Sequence, residues 1–228
     1  MNFELKGKRA IVSAGGSGIG RSIVSEFIKQ GVSVSTCDID KSLVRELKTK
    51  YPQIYAEVVD VADEKSVKEF CAKSIKFSGG LDFLVNNAGV AGPTLSIEEI
   101  NGADWSHCLN VCLSSQFYFV KYCLKHLRES TSASIVNLSS AAGQYGFAFR
   151  TPYASAKWGV IGLTKSLSIE LGKDKIRVNA ILPGLVAGDR QQNVLRNKAQ
   201  MLGKSFDEVE KEALSFTSIK EYVDAQDI

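Results

Sequence analysis

Short runs of β-branched and apolar residues alternate with longer stretches whose apolar positions recur three and four apart. Arg9 to Ser13 reads as a buried strand, and Gly18 to Gln30 places Ile19, Ile23, Val24, Phe27 and Ile28 on one helical face. Val32 to Cys37 is again strand-like. Asp40 then stands where a helix N-cap belongs, ahead of a helix from Lys41 to about Lys50. Tyr55 to Val59 predicts a third strand. After it Asp63 can cap a helix whose inner face carries Val67, Phe70, Cys71 and Ile75. Leu81 to Asn86 predicts a strand, Trp105 to Leu127 one long helix, Ser134 to Ser139 a strand, Tyr153 to Leu171 a helix and Ile176 to Leu182 a sixth strand.

Strands separated by helices of such length need crossover connections, which make the sheet parallel and cover both its faces. The expected fold is therefore a doubly wound, Rossmann-like α/β sheet flanked by helices on both faces. With no repeat, low-complexity tract or Pro/Gly-rich linker, residues 1–228 are expected to form a single domain. Beyond Pro183 the rhythm changes. Residues 188–217 are polar and helical, with Ser205 and Glu208 spaced as a capping box, and read as a helical lid.

Composition narrows the function classes. The 28 Lys plus Arg against 25 Asp plus Glu leave a net charge of +3, in no long block, so nothing points to nucleic acid or an anionic membrane. The opening Met1 to Arg9 lacks an apolar leader, and no stretch approaches membrane-spanning length. Five cysteines without a C-x-x-C pair suit a reducing compartment, and the expected location is cytoplasmic.

Chemistry enters at the first strand-to-helix turn. Ser13-Ala14-Gly15-Gly16-Ser17-Gly18-Ile19-Gly20 is small enough for backbone to approach a pyrophosphate, which the free N–H groups of a helix start would stabilise. Asp38 closes the second strand 18 residues beyond Gly20, where the ribose hydroxyls of an adenosine belong. A carboxylate there accepts both hydroxyls and repels a 2′-phosphate, so the expected cofactor is NAD rather than its phosphorylated form. Further along, Tyr153 and Lys157 stand at i and i+4 on one helical face, and Ser140 follows the strand that ends at Ser139. A hydroxyl and a Tyr–Lys pair can thus converge at the carboxyl end of the sheet, where such folds bind ligands.

These motifs, in this order, resemble the short-chain dehydrogenase/reductase family over nearly the whole chain. Its T-G-x-x-x-G-x-G loop is matched by Ser13, Ala14, Gly18 and Gly20, its D-V by Asp60-Val61, and its N-N-A-G by Asn86-Asn87-Ala88-Gly89. Its mid-helix Asn falls on Asn110, its Ser on Ser140, its Y-x-x-x-K on Tyr153 and Lys157, and its P-G on Pro183-Gly184. The resemblance implies an NAD(H)-dependent oxidoreductase that interconverts a secondary alcohol and a ketone, built as a homodimer or homotetramer. Tyr153 would be the general acid/base and Ser140 would hold the reacting oxygen. Lys157 would favour phenolate and hold the nicotinamide ribose, and Asn110 would anchor a water in a proton relay. A phenol ionises near about 10, so its use as a base near neutrality requires about 4 kcal/mol of preferential phenolate stabilisation. For the cofactor, the resemblance implies Ser13, Ala14, Ser17, Gly18 and Ile19 at the pyrophosphate and Asp38 at the adenosine ribose. It further implies Asp60 and Val61 at the adenine, Asn87, Ala88 and Gly89 along the middle, and Pro183, Gly184 and Val186 near the nicotinamide amide. The rival reading is a catalytically silent NAD-binding sensor or scaffold.

Three departures stand out. Ala14 replaces the loop's first glycine, which is tolerable only at ordinary negative φ. Gly188 stands where many relatives carry Thr, and relatives continue past Ile228 into one more strand and a tail. No metal is expected: His107, Cys108 and Cys112 share a helix without a second ligand cluster, and His126 lacks any partner motif. Arg190 and Arg196 could meet an acidic group on a substrate or be solvated helix residues, and Tyr145, Phe147 and Phe149 could line a pocket or pack their loop.

Overall fold

A computed structural model describes residues 4–228; the reading of Met1 to Phe3 lies outside the described residues. Six parallel strands run in the order β3-β2-β1-β4-β5-β6: β1 Arg9–Ser13, β2 Ser33–Asp38, β3 Tyr55–Val58, β4 Phe83–Asn86, β5 Ser134–Leu138 and β6 Arg177–Ile181. The order reverses between β1 and β4. Both strands end at residues of the loops just described, which opens a crevice above Ser13 and Asn86.

Helices cover both faces. On one side α1 (Gly18–Lys29) and α2 (Lys41–Lys50) pack Val24, Val44 and Leu47 against Val12, Val34 and Val85. On the other, α3 (Glu64–Ser78) and α5 (Ser115–Arg128) bring Phe70, Phe119 and Leu127 onto Ile11, Leu84 and Ile135. Central strands buried on both faces read as continuous apolar runs, as these do. Asp40 and Asp63 cap α2 and α3 by accepting from the N–H groups of Ser42 and Leu43, and of Lys65 and Ser66.

The predicted helix Trp105–Leu127 differs from the one formed. It starts earlier, as α4 (Gly102–Leu109) capped by Asn101, and passes through a π-helical turn at Asn110–Ser114 before α5. A π turn carries an extra residue and leaves carbonyls without their usual donors. Side chains supply them: Ser115 Oγ donates to Val111 O (2.7 Å) and Gln116 Nε2 to Cys112 O (3.1 Å). The next helix, α6 (Thr151–Glu170), begins two residues before Tyr153, with Pro152 in its first turn.

Past β6, α7 (Asp189–Leu202) and α8 (Phe206–Ser215, with its Ser205/Glu208 capping box) form a small core of Leu195, Ala199 and Val209. A parallel bridge ties both ends of this excursion together: Ala187 N–H donates to Val223 O and Val223 N–H to Leu185 O. The helix pair is thus pinned at its base. Gly188, at the start of α7, has φ +137°, which an L side chain rarely adopts, so backbone geometry accounts for glycine there.

Candidate active site

The glycine loop is braced from beneath. Ser13 Oγ accepts from the N–H groups of Asn87 and Ala88 (3.0 Å each), while Asn87 Nδ2 donates to Ser13 O and Ala14 O. Ser13 is buried, so its hydroxyl joins the ends of β1 and β4 and does not face the open side of the loop. The Asp38 carboxylate accepts from Gly16 N–H (3.0 Å) and from Asp40 N–H (3.1 Å), which sets it against the loop at the end of β2. A Cβ at Gly16 would lie 2.6 Å from Asp38 Oδ2, and one at Gly20 would lie 2.1 Å from Ala14 O. Only glycine allows this approach.

The residues fit a dinucleotide. The α1 N-terminus has no side-chain cap and no acidic residue in its first turn, so its N–H groups stay open to an anion, and space beside Gly18 is empty. The Asp38 carboxylate sits one strand away. Ala14 has φ +53°, so the condition under which its methyl would be harmless is not met. The backbone there is one that favours glycine. Asp60 is exposed just past β3, with Val61 buried behind it, and Pro183 and Gly184 follow β6.

The catalytic candidates gather at the same edge. Ser140 is extended and its Oγ accepts from Ala142 N–H (3.2 Å). Around it Ser139 N–H donates to Ile181 O and Ala141 N–H to Pro183 O, fixing this turn to the end of β6. Ser139 Oγ donates to Lys157 O (2.8 Å), and Gly143 packs so closely that a Cβ would lie 2.7 Å from that same carbonyl. Lys157 is buried, with Nζ donating to Leu138 O (2.7 Å) and standing 5.7 Å from the centre of the Tyr153 ring. Gly89 borders it: a Cβ there would meet Lys157 Nζ at 3.6 Å, and Arg190 Nη2 and Cys112 Sγ at 3.7 Å each.

Asn110 opens the π turn at Asn110–Ser114, which packs on α6. It is exposed, and its side-chain oxygen accepts from Ser114 Oγ (3.4 Å). The π turn instead points Cys112 inward, fully buried, where its Sγ accepts from Val90 N–H (3.4 Å) and lies within hydrogen-bonding reach of Val90 O (3.5 Å). The Cys108 thiol hydrogen-bonds Cys112 and the positive charge of Lys157 stands near, and both pull the Cys112 thiol downward against its burial. Gln116 completes this side by donating to Leu138 O (3.3 Å), the carbonyl that also receives Lys157.

Arg150 is a second residue that sequence reasoning missed. Its guanidinium lies over the Tyr153 ring, 4.8 Å from the centroid, and donates to Ala91 O. Arg190 reaches the same ring at 5.9 Å and donates to Gly89 O (3.1 Å), whereas Arg196 bonds Asn193 and Gln192 away from the site. Tyr145 and Phe147 are exposed on the loop before α6, and Phe149 takes positive φ (64°) while its carbonyl accepts from Leu95 N–H. Among the described residues no group of three or more His, Cys, Asp or Glu side chains could hold a metal ion. Nor is any helix of the described residues long and apolar enough to cross a membrane.

A doubly wound sheet, a glycine loop at its switch point and a Tyr–Lys helix face beside it define a nicotinamide-dependent oxidoreductase. The chain belongs to the short chain dehydrogenase family, whose profile matches residues 8–199. It is 36% identical over 188 residues to a 3-oxoacyl-(acyl-carrier-protein) reductase of Thermotoga maritima, covering 81% of this chain and 76% of that protein. It is also 34% identical over 184 residues to an L-fucose dehydrogenase of Bos taurus, covering 81% and 68%. Among solved structures, a levodione reductase superposes with TM-score 0.88 at 27% identity, covering 97% of this chain and 87% of that one. An NAD+-bound xylitol dehydrogenase shares the fold with TM-score 0.92 at 23% identity, covering 98% and 89%.

Proposed function

We propose that the protein interconverts a secondary alcohol and a ketone with NAD(H). The observation that carries this reading is the convergence of Tyr153, buried Lys157 and the Ser140 turn at the crevice where the glycine loop ends β1. The cofactor, when bound, supplies the hydride acceptor or donor. Ser140 Oγ holds the substrate oxygen, and Tyr153 takes the hydroxyl proton in oxidation and returns it in reduction. Lys157, anchored on Leu138 O, keeps a positive charge beside the phenol and favours its ionised form. Asp38 supports NAD over its 2′-phosphorylated form, since the carboxylate already sits against the loop and, among the described residues, no basic side chain is hydrogen-bonded to it. The whole chain acts as one unit that assembles as a homodimer or homotetramer, with α7 and α8 as the lid over a small-molecule substrate. Five free, buried thiols support a cytoplasmic setting.

The test follows NADH formation across secondary alcohols, polyols and hydroxy acids. Tyr153→Phe is expected to cut kcat by about 100-fold or more while NADH still binds, because the general acid/base is lost and the binding surface is kept. Unchanged turnover in that variant would sink the assignment.

A further inference from the structure

Three cations surround one phenol, and none has a carboxylate partner. Lys157, Arg150 and Arg190 stand 5.7, 4.8 and 5.9 Å from the Tyr153 ring centroid, and no ion pair among the described residues involves any of them. Lys157 has its role beside the phenol. The two arginines do not.

Arg150 is costly where it stands. Burial disfavours its charged form and outweighs the favourable field of Tyr153 and the nearby thiols, and the neighbouring Arg190 adds to the cost. Its Nη2 bonds Ala91 O, but Nε is buried with no partner, so one of its donors stays unsatisfied. Arg190 comes from the first turn of α7, the lid, and rests on a backbone carbonyl, Gly89 O. That contact is a weak hold for a guanidinium, whose fork of donors matches a planar bidentate acceptor far better. Like charges collected without counter-charge beside a reacting group are compensated when an anion binds.

Resting on the alcohol–ketone reading above, we propose that the substrate is a short hydroxy acid, or its oxo acid, whose carboxylate is held between Arg150 and Arg190 while Tyr153 and Ser140 take its carbinol oxygen. Arg150 is the fixed half of the clamp. Arg190 is the mobile half, and its bond to the carboxylate in place of Gly89 O draws the N-terminus of α7 over the site. The Arg150 guanidinium stands over the Tyr153 ring itself, which sets a bound carboxylate close to the reacting carbon.

The decisive comparison is acid against ester with the full-length protein: lactate, malate and β-hydroxybutyrate against their methyl esters, with NAD. The best acid is expected to exceed its ester in kcat/KM by about 10- to 100-fold, the span of a charge-assisted hydrogen-bonded pair. In Arg150→Gln and Arg190→Gln that preference collapses towards unity. Arg150→Lys, which keeps the charge and loses the fork, retains an intermediate preference and guards against a folding artefact. NADH affinity, titrated by nicotinamide fluorescence without substrate, changes less than threefold in Arg150→Gln. Esters turned over as well as acids, glycerol phosphate preferred to every acid, or an NADH affinity that falls in step with the acid preference would each overturn the clamp and leave the oxidoreductase reading standing. Should neither acid nor ester turn over, the wider panel of alcohols and polyols tests the alcohol–ketone reading separately, and binding to the NADH complex decides the clamp. Acetoacetate bound in preference to methyl acetoacetate, with the preference lost in Arg150→Gln, supports the site; equal or absent binding overturns it.

Discussion

Asp82 offers a prediction whose size follows from its contacts. It lies at the amino end of the sheet, remote from the site, and is almost fully buried. Its carboxylate accepts from Arg9 N–H (2.9 Å), Arg9 Nε (2.9 Å), Arg9 Nη2 (3.0 Å) and Ser130 Oγ (2.6 Å). Its backbone joins β1 and β5, since Asp82 N–H donates to Arg9 O and Asp82 O accepts from Ser134 N–H. Burial pushes the carboxyl up, but the Arg9 and Ser130 hydrogen bonds outweigh it and hold it at about 2, below the ordinary 3.8. That difference corresponds to about 2 kcal/mol of folding stability. Because the folded state holds the lower value, the contribution is complete above the unfolded value and is lost as pH falls from about 4 towards 2. Asp82→Asn is therefore expected to lose about 2–3 kcal/mol at neutral pH, the larger figure including an amide donor turned against Arg9. Urea unfolding followed by far-UV circular dichroism, repeated down the acid range, measures it. The gap between wild type and variant should narrow steadily below about pH 4. A gap independent of pH would refute the reasoning, since Asp82 would then act through shape alone.

The other predictions concern the site. Ala14→Gly relieves the left-handed backbone at φ +53° and should raise stability by about 0.5–1 kcal/mol in thermal unfolding, with no loss of NADH affinity; a lower melting temperature would contradict it. Cys112→Ser keeps a donor and acceptor for Val90 and should hold kcat within a few fold. Cys112→Val strands both backbone groups and should reduce kcat about tenfold or more in steady-state assays. Asp38→Ala removes the carboxylate that opposes a 2′-phosphate, and the ratio of kcat/KM for NAD over NADP should fall about tenfold or more.

The sheet was readable because its strands are buried on both faces and its helices on one, so hydrophobic period alone separates them. The caps Asp40, Asp63 and Ser205 were equally readable, since capping needs only a short polar side chain at one position. What escaped depends on direction in space. The π turn rotates every later residue relative to an α-helical count and turns Cys112 inward; no residue type in Asn110–Ser114 announces it. Arg150 sits in a loop without periodicity, so nothing local says that its side chain folds over Tyr153. Arg190 and Arg196 look alike in sequence, but the start of α7 faces Gly89 while its middle faces Phe206. The positive φ at Ala14 goes with the close approach of its carbonyl to Gly20, a contact between residues six apart that no local pattern announces.

These misses share a location, and the location has a physical meaning. At the carboxyl end of the sheet lie a left-handed alanine, a π turn, two arginines without counter-charge, and orphaned buried atoms in Gln116 Oε1 and Arg150 Nε. Each such feature costs on the order of 1–3 kcal/mol. At the amino end Arg9, Asp82 and Ser130 satisfy one another and tie β1 and β4 to the segment after α5. A fold with a stability of only about 5–15 kcal/mol tolerates the first end because the Arg9–Asp82 network and the two apolar clusters on the sheet faces stabilise the rest. Sequence reasoning works by assuming local consistency. It therefore succeeds where the chain is stabilised and fails at the crevice, where local consistency is given up to keep a phenol, a lysine and two guanidinium groups facing the same small space.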